Sequence, residues 1–279
     1  PALVILACDL FDGEVASALI PAVAIEVFHN FTLLHDDIMD RSERRRGKPT
    51  VHIKYNENVA ILSGDVMSIL SSRLMNQAPG VVLNVVHDVF TLTAMQVCEG
   101  QQLDMNYEEL NSVSEEEYLS MIELKTAVLI AASLKIGAIL GGASERDAED
   151  LYEFGRNLGI AFQLQDDYLD TFGTSDFGKK IGGDILEHKK TYLYIKTLEL
   201  ADHKDRKALL EFYGSDDSSD TKVEAVKELF IKYQADHLLI QEIEKFTLQA
   251  FKNVERLSLG KQGKDALISF GNGLMKRKI

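Results

Sequence analysis

All four prolines, Pro1, Pro21, Pro49 and Pro79, fall within the first 79 positions, which leaves 200 residues free of the strongest helix breaker. Long helices are the natural outcome. Apolar residues recur at helical spacing over 22–40, 59–75 and 81–105. Ser114-Glu115-Glu116-Glu117 has the form of a capping box, so it predicts a helix that runs on to about residue 140. Leu119, Ile122, Leu129 and Ile136 make its apolar stripe, and Lys125-Thr126 interrupts it with a charge. Over 148–172, Leu151, Phe154, Leu158, Phe162, Leu169 and Phe172 keep apolar spacing while Gln163, Asp166 and Asp170 share another face. A helix is expected to open at 184–191, a polar loop at 213–222, and further helices at 223–251 and 264–275. No strand run, repeat or interdomain linker is legible. The expectation is an all-α, single-domain bundle of long helices spanning residues 1–279 around a deep central cleft.

Within that frame one pattern occurs twice: Asp36-Asp37-Ile38-Met39-Asp40 and Asp166-Asp167-Tyr168-Leu169-Asp170. Residues four apart share a helix face, so Asp36 and Asp40 project together, as do Asp166 and Asp170. Like charges at that spacing oppose the helix by a few tenths of a kcal/mol. Something positive must offset the repulsion. Oxygen-only donors select hard cations, and Mg2+ combines one or two carboxylates with water and phosphate oxygens. Two such clusters predict a cleft that holds a diphosphate through Mg2+. The basic run 41–50 comes directly after the first cluster, and the forked guanidinium groups of Arg45 and Arg46 match phosphate oxygens. His29 lies seven residues, or about two turns, before Asp36 on the same face. The segment 173–183 carries four glycines and two lysines, a composition suited to a lid over an anion.

Composition narrows the partners. A net charge of -14 argues against nucleic acid as the main partner, since phosphate backbones are bound by excess Lys and Arg. It does not exclude a small anion, because a bound cation reverses the local sign. Cys8 and Cys98 show no metal spacing and read as reduced thiols in a cytoplasmic protein. No run reaches the roughly 18 to 20 apolar residues of a membrane span; the longest candidate, 127–143, is broken by Lys135. The chain starts at Pro1 within an apolar stretch, so residues are expected upstream.

At these residues the sequence resembles the trans-isoprenyl diphosphate synthases, the all-helical head-to-tail prenyltransferases of the short-chain farnesyl and geranylgeranyl type. The resemblance rests on His35-Asp36-Asp37-Ile38-Met39-Asp40, Arg45-Arg46-Gly47-Lys48-Pro49-Thr50 and Phe162-Gln163-Leu164-Gln165-Asp166-Asp167-Tyr168-Leu169-Asp170. Lys125-Thr126, Gly178-Lys179 and Gly182-Gly183-Asp184 occur in the family's order. The resemblance implies that Asp36, Asp37, Asp40, Asp166, Asp167 and Asp170 hold about three Mg2+ ions on an allylic diphosphate. It assigns Arg45, Lys125, Lys179 and Lys189 to that diphosphate, His29 and Arg46 to isopentenyl diphosphate, and Thr126 and Gln163 to the lining of the carbocation. It also implies a homodimer, with 81–97 as the candidate interface. The family's Gly-Lys-x-x-Arg-Pro segment is missing upstream of Pro1.

Chain length depends on depth along the first motif helix. Phe31 lies five residues, about 7.5 Å, before Asp36 and is expected to act as the floor for the growing tail, with the small Thr32 beside it. Two rival readings are a class I terpene cyclase and a non-catalytic regulatory subunit of a prenyl synthase. The repeated aspartate motif weighs against the first, and the complete set of six aspartates against the second.

Overall fold

The computed structural model describes residues 1–110, 112–173, 181–215 and 217–276. They are helical throughout, apart from turns and one two-residue hairpin. The chain divides into two compact units. The first comprises Pro1–Met95, Leu129–Tyr152 and Arg256–Gly263; the second comprises Gln96–Val128, Glu153–Glu255 and Lys264–Ile279.

In the first unit, α1 (Ala2–Leu10) and α4 (Glu57–Met75) pack on α2 (Val15–Met39). Helix α2 buries Ala18, Pro21, Ala22, Ala24, Ile25 and Phe28. It begins seven residues earlier than its apolar spacing predicts, because Pro21 is accommodated inside it at the loss of one backbone donor. By length and composition alone, α2 is long and apolar enough for a membrane span, while it packs against α1 and α4. A count of unbroken apolar residues misses it because Glu26 and His29 interrupt the run. Helix α4 starts where the Asn56 side chain accepts from the Val59 amide, at 2.9 Å. The α2–α4 packing is tight enough that a Cβ at Gly64 would lie 2.2 Å from His35 Nε2. Between α2 and α4 lie the hairpin strands β1 (Arg44–Arg45) and β2 (Lys48–Pro49) and the short α3 (Val51–Lys54).

Helix α5 (Leu83–Glu109) contributes to the first unit up to Met95 and to the second from Gln96. The predicted capping box is present in the second unit: Ser114 and Glu117 exchange side-chain and backbone hydrogen bonds to open α6 (Glu115–Ile122). The helix does not continue regularly, however. Glu123–Ala127 is a π-helical turn, and α7 (Val128–Leu140) comes after it. The extra residue of that turn rotates the start of α7, so Val128 is buried where the unbroken stripe would place Leu129. Helix α7 ends in a Schellman cap, with Gly142 at φ +82° and Ala143 N donating to Ala138 O.

Helix α8 (Glu145–Phe172) carries the second aspartate motif and buries Leu151, Phe154, Leu158 and Leu169 on its predicted apolar side. The expected helix at 184–191 is only α9 (Gly183–Leu186); the chain turns at His188, φ +60°, before α10 (Tyr192–Leu200). The second unit is completed by α11 (His203–Tyr213), α12 (Asp220–Lys232), α13 (Ala235–Arg256) and α14 (Lys261–Met275).

Candidate active site

In the first unit, Asp36 and Asp37 lie in the last turn of α2 and Asp40 is its C-cap. The basic run is a hairpin rather than an open loop: Arg44 pairs with Pro49 and Arg45 with Lys48. Its two central residues, Arg46 (φ +52°) and Gly47 (φ +75°), both take the left-handed conformation that a primed two-residue turn demands. Thr50 closes the base by donating to Ser42 O at 2.7 Å. The hairpin thereby returns Arg45 onto the aspartates, its Nε donating to Asp37 Oδ1 at 2.7 Å and its Nη2 to Asp36 Oδ2 at 3.0 Å. Burial raises the pKa of Asp37, and the Arg45 hydrogen bond and charge oppose that rise.

Arg46 is exposed at the hairpin tip. Burial lowers the pKa of His29 against the pull of Glu26, and the charges of Arg46 and Arg45 lower it further. His29, Arg45 and Arg46 therefore share one electrostatic neighbourhood. Phe31 is half-buried, its ring 5.5 Å from that of Phe28 and edge-on to His35 at 4.8 Å. The hydroxyl of Thr32 donates back to His29 O at 2.8 Å.

The second unit gathers a second set. A cavity of about 80 Å³ is lined by Lys125, Thr126, Gln163, Asp167 and Lys189, together with Asp104, Tyr118, Asp184 and Lys190. Lys125 and Thr126 belong to the π-helical turn. Lys125 Nζ donates to Asp104 Oδ2, and Thr126 Oγ1 donates to Gln163 Oε1 at 3.0 Å. Gln163 Nε2 passes the chain on to Asp167 Oδ1, also at 3.0 Å. Tyr118 donates to the other oxygen of Asp167. Asp170 Oδ2 accepts from the Asp184 amide at 3.0 Å, and Lys189 Nζ lies 3.0 Å from Glu187 and 3.9 Å from Asp184.

Acidic groups crowd here. Burial pushes the Asp167 pKa up to about 7 in spite of its two donors, and the charges of Asp166 and Asp170 add to the rise. Asp184 is held well above the carboxylate range by burial and then by Asp167 and Asp170, with Lys189 opposing. Among the described residues, no group of three His, Cys, Asp or Glu side chains converges on a point that could hold a metal alone. All the candidate donors are hard carboxylate oxygens under mutual repulsion. That set fits a cation whose remaining ligands come from a phosphate and water. Lys179, and with it most of the expected lid, lies outside the described residues.

Tyr118 and Lys190 carry no sequence signal as site residues. Tyr118 is 2% exposed and its partner is 49 residues away. Lys190 is buried over the rings of Tyr194 and Tyr213, at 5.3 and 5.2 Å, and donates to His188 O. Asp184 is noticed in the sequence only as part of a motif, and its amide's hydrogen bond to Asp170 and its position in the cavity lining are what give it a place here.

Long helices, two aspartate-rich helix segments and an arginine turned onto the first of them define the isoprenoid synthase class of fold. The chain belongs to the polyprenyl synthetase family: the model described as "Polyprenyl synthetase" matches residues 1–230. It is 40% identical over 263 residues to a geranylgeranyl diphosphate synthase of Sulfolobus acidocaldarius, covering 92% of this chain and 79% of that protein. It is 43% identical over 237 residues to a short chain isoprenyl diphosphate synthase of Methanothermobacter thermautotrophicus, covering 84% and 72%. A crystal structure of a geranylgeranyl pyrophosphate synthase superposes with a TM-score of 0.95 at 43% identity, covering all of this chain and 87% of the other.

Proposed function

We propose that this chain is a Mg2+-dependent short-chain trans-prenyltransferase. It joins isopentenyl diphosphate head-to-tail to an allylic diphosphate, dimethylallyl, geranyl or farnesyl, and releases diphosphate. The products are farnesyl or geranylgeranyl diphosphate. One observation carries this reading: Asp167 and Asp184 line the same cavity as Lys125, Lys189 and Lys190, a pairing of anions and cations suited to a metal-bound diphosphate. The similarity to named geranylgeranyl and short-chain isoprenyl diphosphate synthases supports it.

Asp36, Asp37, Asp40, Asp166, Asp167 and Asp170 would hold Mg2+, about three ions, and the metal when bound neutralises charge on the departing diphosphate. Arg45, Lys125, Lys179 and Lys189 take the rest of that charge. His29 and Arg46 bind isopentenyl diphosphate. As the allylic C–O bond breaks, its electron pair leaves with diphosphate, and the oxygens of Thr126 and Gln163 face the cation left behind. Preorganised groups of this kind stabilise developing charge without a nucleophilic side chain. The double bond of isopentenyl diphosphate then forms the new C–C bond, and a proton passes to the released diphosphate.

Incubating the protein with Mg2+, isopentenyl diphosphate and each allylic starter should yield chromatographic products that stop at C15 or C20. A cyclic hydrocarbon, or no turnover at all, would refute the reading. Phe31 sets the stop, so Phe31→Ala should lengthen the product by at least one C5 unit in the same assay; an unchanged distribution would remove Phe31 from that role. Tyr118 anchors a metal-binding carboxylate, so Tyr118→Phe should cost about 10- to 100-fold in Mg2+ affinity or turnover. Full activity at limiting Mg2+ would exclude such an anchor.

The protein acts as a cytoplasmic homodimer. The support for the dimer is the row of apolar side chains left exposed just before α5 and along its first half, Val81, Val85, Leu92 and Met95, each more than half exposed. Light scattering of Leu92→Glu should then report a monomer where the unaltered chain gives a dimer.

A further inference from the structure

We infer that Gly100 and Gly159 are positioning residues for Lys125 and Thr126, each working with the polar side chain one turn further along its own helix. The inference rests on the reading that Lys125 and Thr126 act on the allylic substrate.

The π-helical turn Glu123–Ala127 lies against both α5 and α8 in the second unit, and the two helices meet it in the same way. On α5, a Cβ at Gly100 would stand 2.3 Å from the Lys125 amide nitrogen, 2.7 Å from Leu124 C and 2.7 Å from Lys125 Cα. Four residues on, Asp104 accepts from Lys125 Nζ. On α8, a Cβ at Gly159 would stand 2.6 Å from Ala127 Cα and 2.8 Å from its Cβ. Four residues on, Gln163 accepts from Thr126 Oγ1 at 3.0 Å. Residues four apart share a helix face, so each helix offers a backbone slot and a side-chain anchor side by side. The slot admits the main chain of the turn, and the anchor fixes the side chain that the turn presents.

The reason lies in the cost of a π turn. Its extra residue widens the helix and weakens its regular hydrogen bonding, so the surroundings must hold it in place. A neighbour with a Cβ would meet backbone here, which cannot swing aside as a side chain does. Restoring ordinary van der Waals separation from 2.3 Å requires a shift of about 1 Å, and a displacement of that size in a reacting group can cost 10²-fold.

The test is steady-state kinetics of Gly100→Ala, Gly159→Ala and Asp104→Asn, with Gly273→Ala as the control because nothing lies within 4 Å of a Cβ there. Both slot variants should lose about 100-fold in kcat while the KM for isopentenyl diphosphate, assigned to His29 and Arg46, stays within about twofold. Asp104→Asn adds no atom to the slot and should lose part of the same kcat. Gly100→Ala on a Lys125→Ala background should cost little more than Lys125→Ala alone, since both act through one side chain. Full additivity, or wild-type kcat in the slot variants, would overturn the inference. A crystal structure of Gly100→Ala gives a readout independent of turnover: residues 123–127 should shift by about 1 Å, and Lys125 Nζ should no longer reach Asp104. An unshifted turn overturns the cradle, whereas an inactive wild type beside a shifted turn overturns only the proposed reaction.

Discussion

Removing divalent cations with a chelator should lower chain elongation by about 10³-fold, and added Mg2+ should restore it. Charge stabilisation of several kcal/mol by a metal corresponds to a loss of that order. The second unit explains the dependence. Asp167 is buried and Asp184 half-buried, with Asp170 beside both, and desolvation with mutual repulsion drives their pKa values upward. Without a cation, the ionised forms are disfavoured. Asp167, raised from 3.8 to about 7, binds more protons folded than unfolded across that interval, so the metal-free protein should lose stability as pH rises through it. Thermal unfolding of the chelated protein between about pH 4 and pH 7 should therefore show a falling midpoint. Mg2+ with inorganic diphosphate should stabilise most at the upper end, where the carboxylates are ionised and ready to bind. Turnover that survives chelation, or a midpoint that rises with pH, would remove the aspartates from the proposed metal role.

The parts of the fold legible in the sequence are those written in local pattern. The capping box at Ser114 and the apolar side of α8 stand as read, because a helix end and a 3.6-residue period each need only a few neighbouring residues. The π turn is visible in the sequence only as a charge out of place at Lys125. Its cause, an inserted residue held between two glycines, depends on Gly100 and Gly159, which lie 25 and 32 positions from Lys125 and Ala127. The hairpin at 44–49 escapes for a different reason. Its strands are two residues long, too short for alternation, and the Arg46-Gly47 turn places arginine where asparagine or aspartate is usual. The aspartates and Arg45 announce themselves through repetition and proximity in sequence. Tyr118 cannot, since a buried tyrosine looks like core until its hydroxyl is seen to meet Asp167.

Gly137→Val should destabilise the protein by about 3 kcal/mol or more, the upper end of what overpacking costs. Helix α7 meets α1 almost backbone to backbone: a Cβ at Gly137 would stand 2.3 Å from Val4 O and 2.7 Å from Ala7 Cβ. One turn later Gly141 repeats the approach, its Cβ position lying 2.7 Å from Cys8 O and 2.9 Å from Phe11 Cβ. Val4, Ala7 and Cys8 are completely buried, so neither helix can yield by exposing a side chain. Relief must come from moving α1 as a whole, and α1 also packs on α2, whose last turn holds Asp36 and Asp37. Urea unfolding should place the Gly137→Val midpoint well below that of the unaltered chain, with Gly80→Ala, where nothing lies within 4 Å, inside about 0.5 kcal/mol of it. Equal midpoints for Gly137→Val and the unaltered chain would mean that α1 does not rest in the Gly137–Gly141 groove. Because the groove supports α2 through α1, the same variant should also disturb the proposed diphosphate binding by Arg45, whose Nη2 and Nε donate to Asp36 and Asp37 at 3.0 and 2.7 Å.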